Sequence, residues 1–190
     1  MKFTKIPETT FQKLQLNAGV LLREFDPETA EVLNEDIVGA TKGGVSFSAT
    51  PTFSDYGEDI DNCPKNMMEL KNLDAWEIGM SGTFVTVDTE AAAFLIGAAD
   101  VAGNKIVPRN DIAQTDFKDL WWVGDYSEEN SEEKGGFVAI HMMNTLSTGG
   151  FSIQTSDNGK GNFAFSFTAH YSMDAQETVP FEVFVKAGTV

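Results

Sequence analysis

Apolar and hydroxyl side chains alternate strictly along residues 45–54. The apolar set is Val45, Phe47, Ala49, Pro51 and Phe53. The hydroxyl set is Ser46, Ser48, Thr50, Thr52 and Ser54. A period of two residues predicts a β-strand with one apolar and one polar face. Proline cannot donate to a strand ladder, so Pro51 indicates an edge strand or a bend.

The same pattern returns further along the chain. In residues 76–87, apolar Trp76, Ile78, Met80 and Phe84 interleave with Glu77, Gly79, Ser81 and Thr83. Further strands are predicted at 14–22, 120–123, 137–143, 151–153, 163–171 and 180–186. The expected core residues are Val45, Phe47, Phe53, Trp76, Ile78, Met80, Phe84, Phe163, Phe165 and Phe167. One alanine-rich helix is predicted at 89–99, capped by Asp88 or Thr89. Together these elements predict a mainly β fold, a β-sandwich or barrel-like domain with one flanking helix.

A long acidic segment separates the two clearest strands. Residues 55–74 contain four acids before the first base. Hairpin loops normally have two to five residues, and longer ones are usually functional or become ordered on binding. The interpretation is a single domain over residues 1–190, with an N-terminal arm at 1–13 and this loop at 55–74.

Composition and charge argue against several classes of protein. The 190 residues are 42% hydrophobic and have a formal net charge of −16, so the chain can fold around a core but would be repelled by free DNA. No apolar run approaches the ~20 residues that span a bilayer, and residues 1–7 lack the apolar stretch of a secretory signal. The single cysteine, Cys63, excludes an internal disulfide framework.

Catalytic signatures are missing from the sequence. It contains no Walker A, G-x-G-x-x-G, G-x-S-x-G or H-E-x-x-H motif. His141 and His170 fall in predicted strands and are interpreted as ordinary strand residues, and Cys63 has no histidine nearby in sequence to activate it. We therefore expect neither an enzyme nor a cofactor.

One weak metal candidate lies in the acidic loop. Its members are Asp55, Glu58, Asp59 and Asp61. Calcium is the metal that such oxygens suit, but the spacing lacks the glycine and terminal glutamate of an EF-hand loop, which favours a solvated acidic loop. A calcium- or carbohydrate-binding β-sandwich module remains the alternative function, and it predicts stabilisation by calcium.

The order of several short segments carries a family resemblance. The segments are 44–54, Cys-Pro-Lys-Asn at 63–66, 76–87, 90–99, Asp-Leu-Trp-Trp-Val-Gly-Asp at 119–125, Leu-Ser-Thr-Gly-Gly-Phe at 146–151, Gly-Lys-Gly at 159–161, and Val-Pro-Phe-Glu-Val at 179–183. From about residue 14 onward, this order resembles the major tail proteins, or tail tube proteins, of siphophages and related prophages. A related tail subunit, such as a tail terminator or a baseplate component, is a close alternative.

The resemblance implies a structural protein of the virion, assembled in the cytoplasm of a bacterial host. Six copies would form a hexameric ring, to which each subunit lends four strands of one inner barrel. Rings would stack into a hollow tube around the tape-measure protein, with tail terminator and baseplate or distal tail proteins at its ends. Double-stranded DNA would pass through without tight binding during ejection, and no membrane is involved.

The resemblance also assigns roles to residues. The loop would contact the neighbouring ring through Asp55, Tyr56, Glu58, Asp59, Asp61 and Lys65. The candidates for the wall of the lumen are Ser46, Ser48, Thr50, Thr52, Ser54, Glu77, Ser81 and Thr83. Six subunits with four strands each would form a barrel of 24 strands. At ~4.8 Å between strands, the bore of that barrel would be roughly 27–38 Å wide, enough for a DNA duplex. The open alternative is that this face is simply solvated, or is covered by the helix or a neighbour.

Overall fold

A computed structural model describes residues 5–7, 10, 13–126 and 136–186. Their strands are β1 (Gln15–Leu22), β2 (Ile37–Gly39), β3 (Thr41–Asp55), β4 (Lys71–Phe84), β5 (Ala99–Ala102), β6 (Lys105–Pro108), β7 (Lys118–Tyr126), β8 (Gly136–Ser147), β9 (Ser152–Gln154), β10 (Asn162–Ala169) and β11 (Phe181–Lys186). The α-helix is α1 (Thr89–Ile96), and 3-10 turns lie at Met68–Leu70 and Gln114–Asp116. The expectation of a mainly β fold with one helix is confirmed.

Nine of the strands form one antiparallel sheet. Its order is β2-β1-β7-β8-β10-β4-β3, with β11 beside β8 and β9 beside β10, while β5 and β6 form a separate hairpin. Among the described residues the sheet does not close into a barrel by hydrogen bonding. Its two end strands, β2 and β3, are instead joined covalently by the single residue Ala40.

Both halves of the sheet contribute to one core. The buried cluster combines Leu21, Val38, Leu120 and Met142 from one half with Ile78, Met80, Phe84, Phe163, Phe165, Phe167 and Ala169 from the other, and with Ala91 and Leu95 of α1. The sheet therefore folds over on itself. A second cluster, on the other side of β7 and β8, contains Leu22, Phe25, Trp121, Val123, Phe137 and Ala139.

Most of the expected core is confirmed. The side chains of Ile78, Met80, Phe84, Phe163, Phe165 and Phe167 are buried, and Val45, Phe47 and Trp76 pack against them. Phe53 was expected in the core but is 54% exposed. The reason is a register shift between Thr52 and Phe53, beyond which the β3–β4 hairpin extends past the core and Phe53 pairs with Leu73, also exposed.

Helix α1 lies against the apolar face of β10. The side chain of its N-cap, Asp88, accepts a hydrogen bond from the Ala91 nitrogen at 2.6 Å, which confirms the expected cap. The ring of Phe94 stacks on Phe167 at 4.4 Å between centroids. The helix ends at Ile96, three residues before the predicted end at 99, and its C-cap is Gly97, whose φ of +88° favours glycine.

The hairpin loop is shorter than the sequence indicated. Strand β4 begins at Lys71, five positions before the expected Trp76, and Lys71 pairs with Asp55. Residue 55 and residues 71–74 therefore belong to strands, and the connection is residues 56–70. After the helix, β5 and β6 form a hairpin that the sequence analysis did not predict.

Candidate assembly surface

Four strands, in the order β3-β4-β10-β9, present one continuous polar face. Residues paired directly across an antiparallel sheet share a face. The rows formed in this way are Ser46–Ser81–Ser166, Ser48–Gly79–Thr168, Thr50–Glu77 and Ser152–Ala164–Thr83. We call these residues, together with Thr52, the polar face. Because α1 packs on the opposite side, the helix does not cover it.

Hydroxyl groups dominate the polar face, and Glu77 is its single charged residue. Ser46, Ser48, Thr50, Thr52, Glu77 and Ser81 are exposed, and Thr83 is half-buried. The structure thus brings seven of the eight lumen candidates onto one surface. The eighth, Ser54, lies past the register shift, where its hydroxyl donates to the Asp74 carboxylate.

Strands β9 and β10 extend this face beyond the sequence-based candidates. Ser166 and Thr168 lie in register with Ser81 and Gly79, and the hydroxyl of Thr168 is 3.0 Å from that of Thr148. The alternation of phenylalanine with small or hydroxyl residues along 163–168 is the signal that could have identified them. It repeats the pattern of β3.

The four-stranded layer has unpaired backbone along β3 on one side and along the three residues of β9 on the other, where the rest of the β10 edge pairs with β8. Strand β3 is terminal, and among the described residues nothing pairs with the outer edge of its 15 residues, which is about 50 Å long. Strand β9 pairs only with β10. Pro51 lies in β3, which confirms the expected edge position. Exposed edges of this length template pairing with another chain.

The carboxylate of Asp55 organises the start of the hairpin loop. It accepts hydrogen bonds from the backbone nitrogens of Gly57 and Asn66, each at 3.0 Å. These two bonds, with smaller contributions from the ammonium groups of Lys71 and Lys65, lower the pKa of Asp55 from its ordinary value of 3.8. The loop therefore has a defined turn at its base.

The rest of the loop is largely exposed. Tyr56, Glu58, Asp59, Asp61 and Lys65 all face solvent. So do the apolar side chains of Ile60 and Met68, the latter 82% exposed. Within residues 5–7, 10, 13–126 and 136–186, no three His, Cys, Asp or Glu side chains lie close enough together to hold a metal ion. The calcium candidate is thus not assembled here, since Asp55 already binds its own loop.

The histidines and the cysteine occupy separate environments. His141 stacks on Trp121 at 4.0 Å and lies 3.2 Å from a carboxylate oxygen of Asp119. His170 packs edge-on against Phe117, and Cys63 lies in the hairpin loop with its sulfur 3.7 Å from that of Met67.

No family model and no curated protein matches this chain. Over the part of the chain that is described, none of the helices has the length and apolarity needed to cross a bilayer.

Proposed function

We propose that this protein is a structural subunit of a phage tail tube, which assembles into stacked hexameric rings around a DNA-conducting lumen. The observation that carries the proposal is the four-stranded layer, which is polar on its outer side and packed against the core on its inner side. It has unpaired edges along β3 and along the short strand β9. The family resemblance of the sequence calls for four strands from each subunit, the number in this layer.

Edge pairing supplies the driving force for the ring. Strand β3 of one copy would pair with the β9 margin of the next, which satisfies backbone groups and extends the sheet around the lumen. This accounts for a long edge strand with which no described strand pairs on its outer side. The fold then needs neither a catalytic group nor a cofactor.

The polar face suits the wall of the lumen. Its hydroxyl groups bind water and keep the wall hydrated. Its paired rows contain no Lys or Arg, so a passing DNA duplex would gain no free energy from counterion release. A lumen lined in this way would let DNA slide without being held. The overall charge of −16 would also repel DNA and so oppose its binding to the wall.

The hairpin loop suits contact between rings. Its apolar side chains Tyr56, Ile60 and Met68 are exposed in the single chain. Burying them on an adjacent ring would contribute about 25 cal/mol for each square ångström removed from water. The exposed acids and Lys65 would then form the polar rim of that contact.

Assembly of purified protein tests the proposal. Concentrated protein, with salt present to screen its charge, should form tubes in electron micrographs and fast-sedimenting material in the centrifuge. Protein that stays monomeric throughout would contradict the proposal.

A proline substitution tests the edge more directly. The backbone nitrogen of Ala49 faces the free edge, because Ala49 lies two positions from Pro51 in the same strand. Ala49→Pro should therefore keep the fold, judged by circular dichroism, and abolish tubes. Ala49→Ser retains the donor and should assemble. Normal tubes from Ala49→Pro would refute pairing at β3.

A further inference from the structure

An aromatic groove lies outside the polar face. Its volume is about 710 Å³, and its lining includes Arg23, Phe25, Phe94, Phe117, Trp121 and His141. None of its lining residues belongs to β3, β4, β9 or β10. The lumen assignment therefore leaves this groove without a role.

The floor of the groove is preorganised. The Trp121 indole and the His141 imidazole stack nearly parallel, at 6°. Phe25 packs on the same indole with centroids 5.6 Å apart, and Phe94 is held from beneath by Phe167. Rigid aromatic surfaces of this kind bind apolar and cationic side chains at a low cost in conformational entropy.

The rim of the groove is acidic. Arg23 is already paired with Glu90 at 3.3 Å, and no described residue forms an ion pair with Glu24. The carboxylates on or next to the rim are Glu24, Asp88, Glu90, Asp119 and Glu182, against the permanent cations Arg23 and Lys118. An occupant that is basic as well as apolar would complement this surface.

The chain's own N-terminal segment has that chemistry. Residues 1–7 read Met-Lys-Phe-Thr-Lys-Ile-Pro and combine two lysines with three large apolar residues. Residues 1–13 hold three Lys and one Glu, a net +2, so the remaining residues have −16 − 2 = −18. Residues 5–7 are exposed in the single chain, Ile6 by 74%, so this chain does not bury them in its own groove.

We infer that residues 1–7 of one copy dock in the aromatic groove of a second copy. Phe3 and Ile6 would lie on the aromatic floor, and Lys2 and Lys5 would face the rim carboxylates. The 14 residues before β1 can reach about 45 Å when extended, enough to cross to a neighbouring subunit. This inference rests on the proposed function, because the tube is what places a second copy within reach.

Photo-crosslinking with isotopically mixed chains tests the inference. A benzophenone amino acid at position 6 is incorporated into protein in which half of the chains carry ¹⁵N. Crosslinked peptides should join position 6 to residues 23–25, 90–94 or 117–121 and should include mixed ¹⁴N–¹⁵N pairs. Crosslinks that lie elsewhere, or that occur only within one isotope, would overturn the inference.

A charge exchange tests the same contact without a bulky probe. Lys5→Glu and Glu24→Lys should each lower the yield of groove crosslinks about two- to fivefold, as expected for an exposed ion pair. The double variant should recover most of the yield. Asp157→Lys, on an exposed residue that is not part of the groove lining, is the matched control and should have no effect. Loss that the double variant fails to recover would refute the charge pairing.

Electron microscopy, combined with the crosslinking, distinguishes failure of the docking inference from failure of the tail-tube proposal. Tubes with crosslinks outside the groove would overturn only the docking inference. Mixed groove crosslinks in protein that never forms tubes would support the docking and contradict the tail-tube proposal.

Discussion

The phenol oxygen of Tyr171 accepts a hydrogen bond from the backbone nitrogen of Trp76 at 3.0 Å. Pairing between β10 and β4 ends at Thr168 and Gly79, so the side chain replaces a ladder partner that β10 no longer supplies. Because this N–H is directed away from β3, Pro51 and Trp76 form a non-hydrogen-bonded pair. The backbone nitrogen of Pro51 therefore faces the free edge, and its lack of a hydrogen removes no hydrogen bond from the β3–β4 ladder.

Removing that phenol oxygen should loosen one end of the polar layer. Tyr171→Phe is expected to lower the free energy of unfolding by about 0.5–1.5 kcal/mol, a fall of a few degrees in Tm. Thermal unfolding followed by circular dichroism measures it. Tyr56→Phe, which removes an exposed hydroxyl from the hairpin loop, is the control and should leave the Tm unchanged. Equal effects from both variants would show that the bond contributes nothing.

Two glycines of β4 should respond oppositely to alanine. A Cβ at Gly82 would lie 2.6 Å from the Phe165 ring, whereas one at Gly79 would meet nothing closer than 3.6 Å. Gly82→Ala should destabilise by about 1–3 kcal/mol through overpacking. Gly79→Ala should be neutral or stabilise slightly by restricting the unfolded chain. Chemical denaturation of both variants checks this, and a destabilised Gly79→Ala would contradict the assigned faces.

Alternation of residue types predicted the long strands of the polar face but not the short strands β2, β5 and β6. It identified β3, β4 and β10 and the side each residue faces, because burial on one side of a sheet imposes a period of two. It failed at Phe53, where the register shift changes what surrounds a side chain without changing the local pattern. Pairing register is a property of two segments together, and one strand read alone does not contain it.

The polar face was predictable only in part for a related reason. The sequence gives the polar side of β3 and β4 but not their neighbours, so Ser166 and Thr168 join the face only through the order β3-β4-β10. The groove was not predictable at all. It needs Phe25 of the loop after β1, Phe94 of α1 and Trp121 of β7 to converge.

Acid should release the turn at the base of the hairpin loop. The pKa of Asp55 is lowered by bonds that only the folded loop provides, so its stabilising effect is complete above the ordinary value of 3.8 and is lost as pH falls through the lower, folded value. The amide NMR signals of Gly57 and Asn66 should shift together with a midpoint below 3.8. Asp55→Asn should abolish the transition, and Asp59→Asn should leave it intact. A midpoint at or above 3.8 would contradict the geometry.

Phe53 should matter to assembly rather than to folding. Its side chain is mostly exposed, so Phe53→Ser should change the free energy of unfolding by less than about 0.5 kcal/mol. Buried Phe167→Ala should cost about 3–5 kcal/mol. If the hairpin packs on a neighbouring subunit, Phe53→Ser should still reduce tube yield in sedimentation. Tubes at wild-type yield would exclude Phe53 from that contact.

A lysine on the polar face should make the lumen retain DNA. Ser81 lies at the centre of the Ser46–Ser81–Ser166 row, and each ring would place six copies of Ser81→Lys around the bore. Cations there would gain counterion release from a duplex, so short DNA should cosediment with the tubes at low salt and dissociate as salt rises. Thr178→Lys, in an exposed segment outside the sheet, adds the same charge away from this face. If both variants form tubes and bind DNA equally, the polar face does not line the lumen.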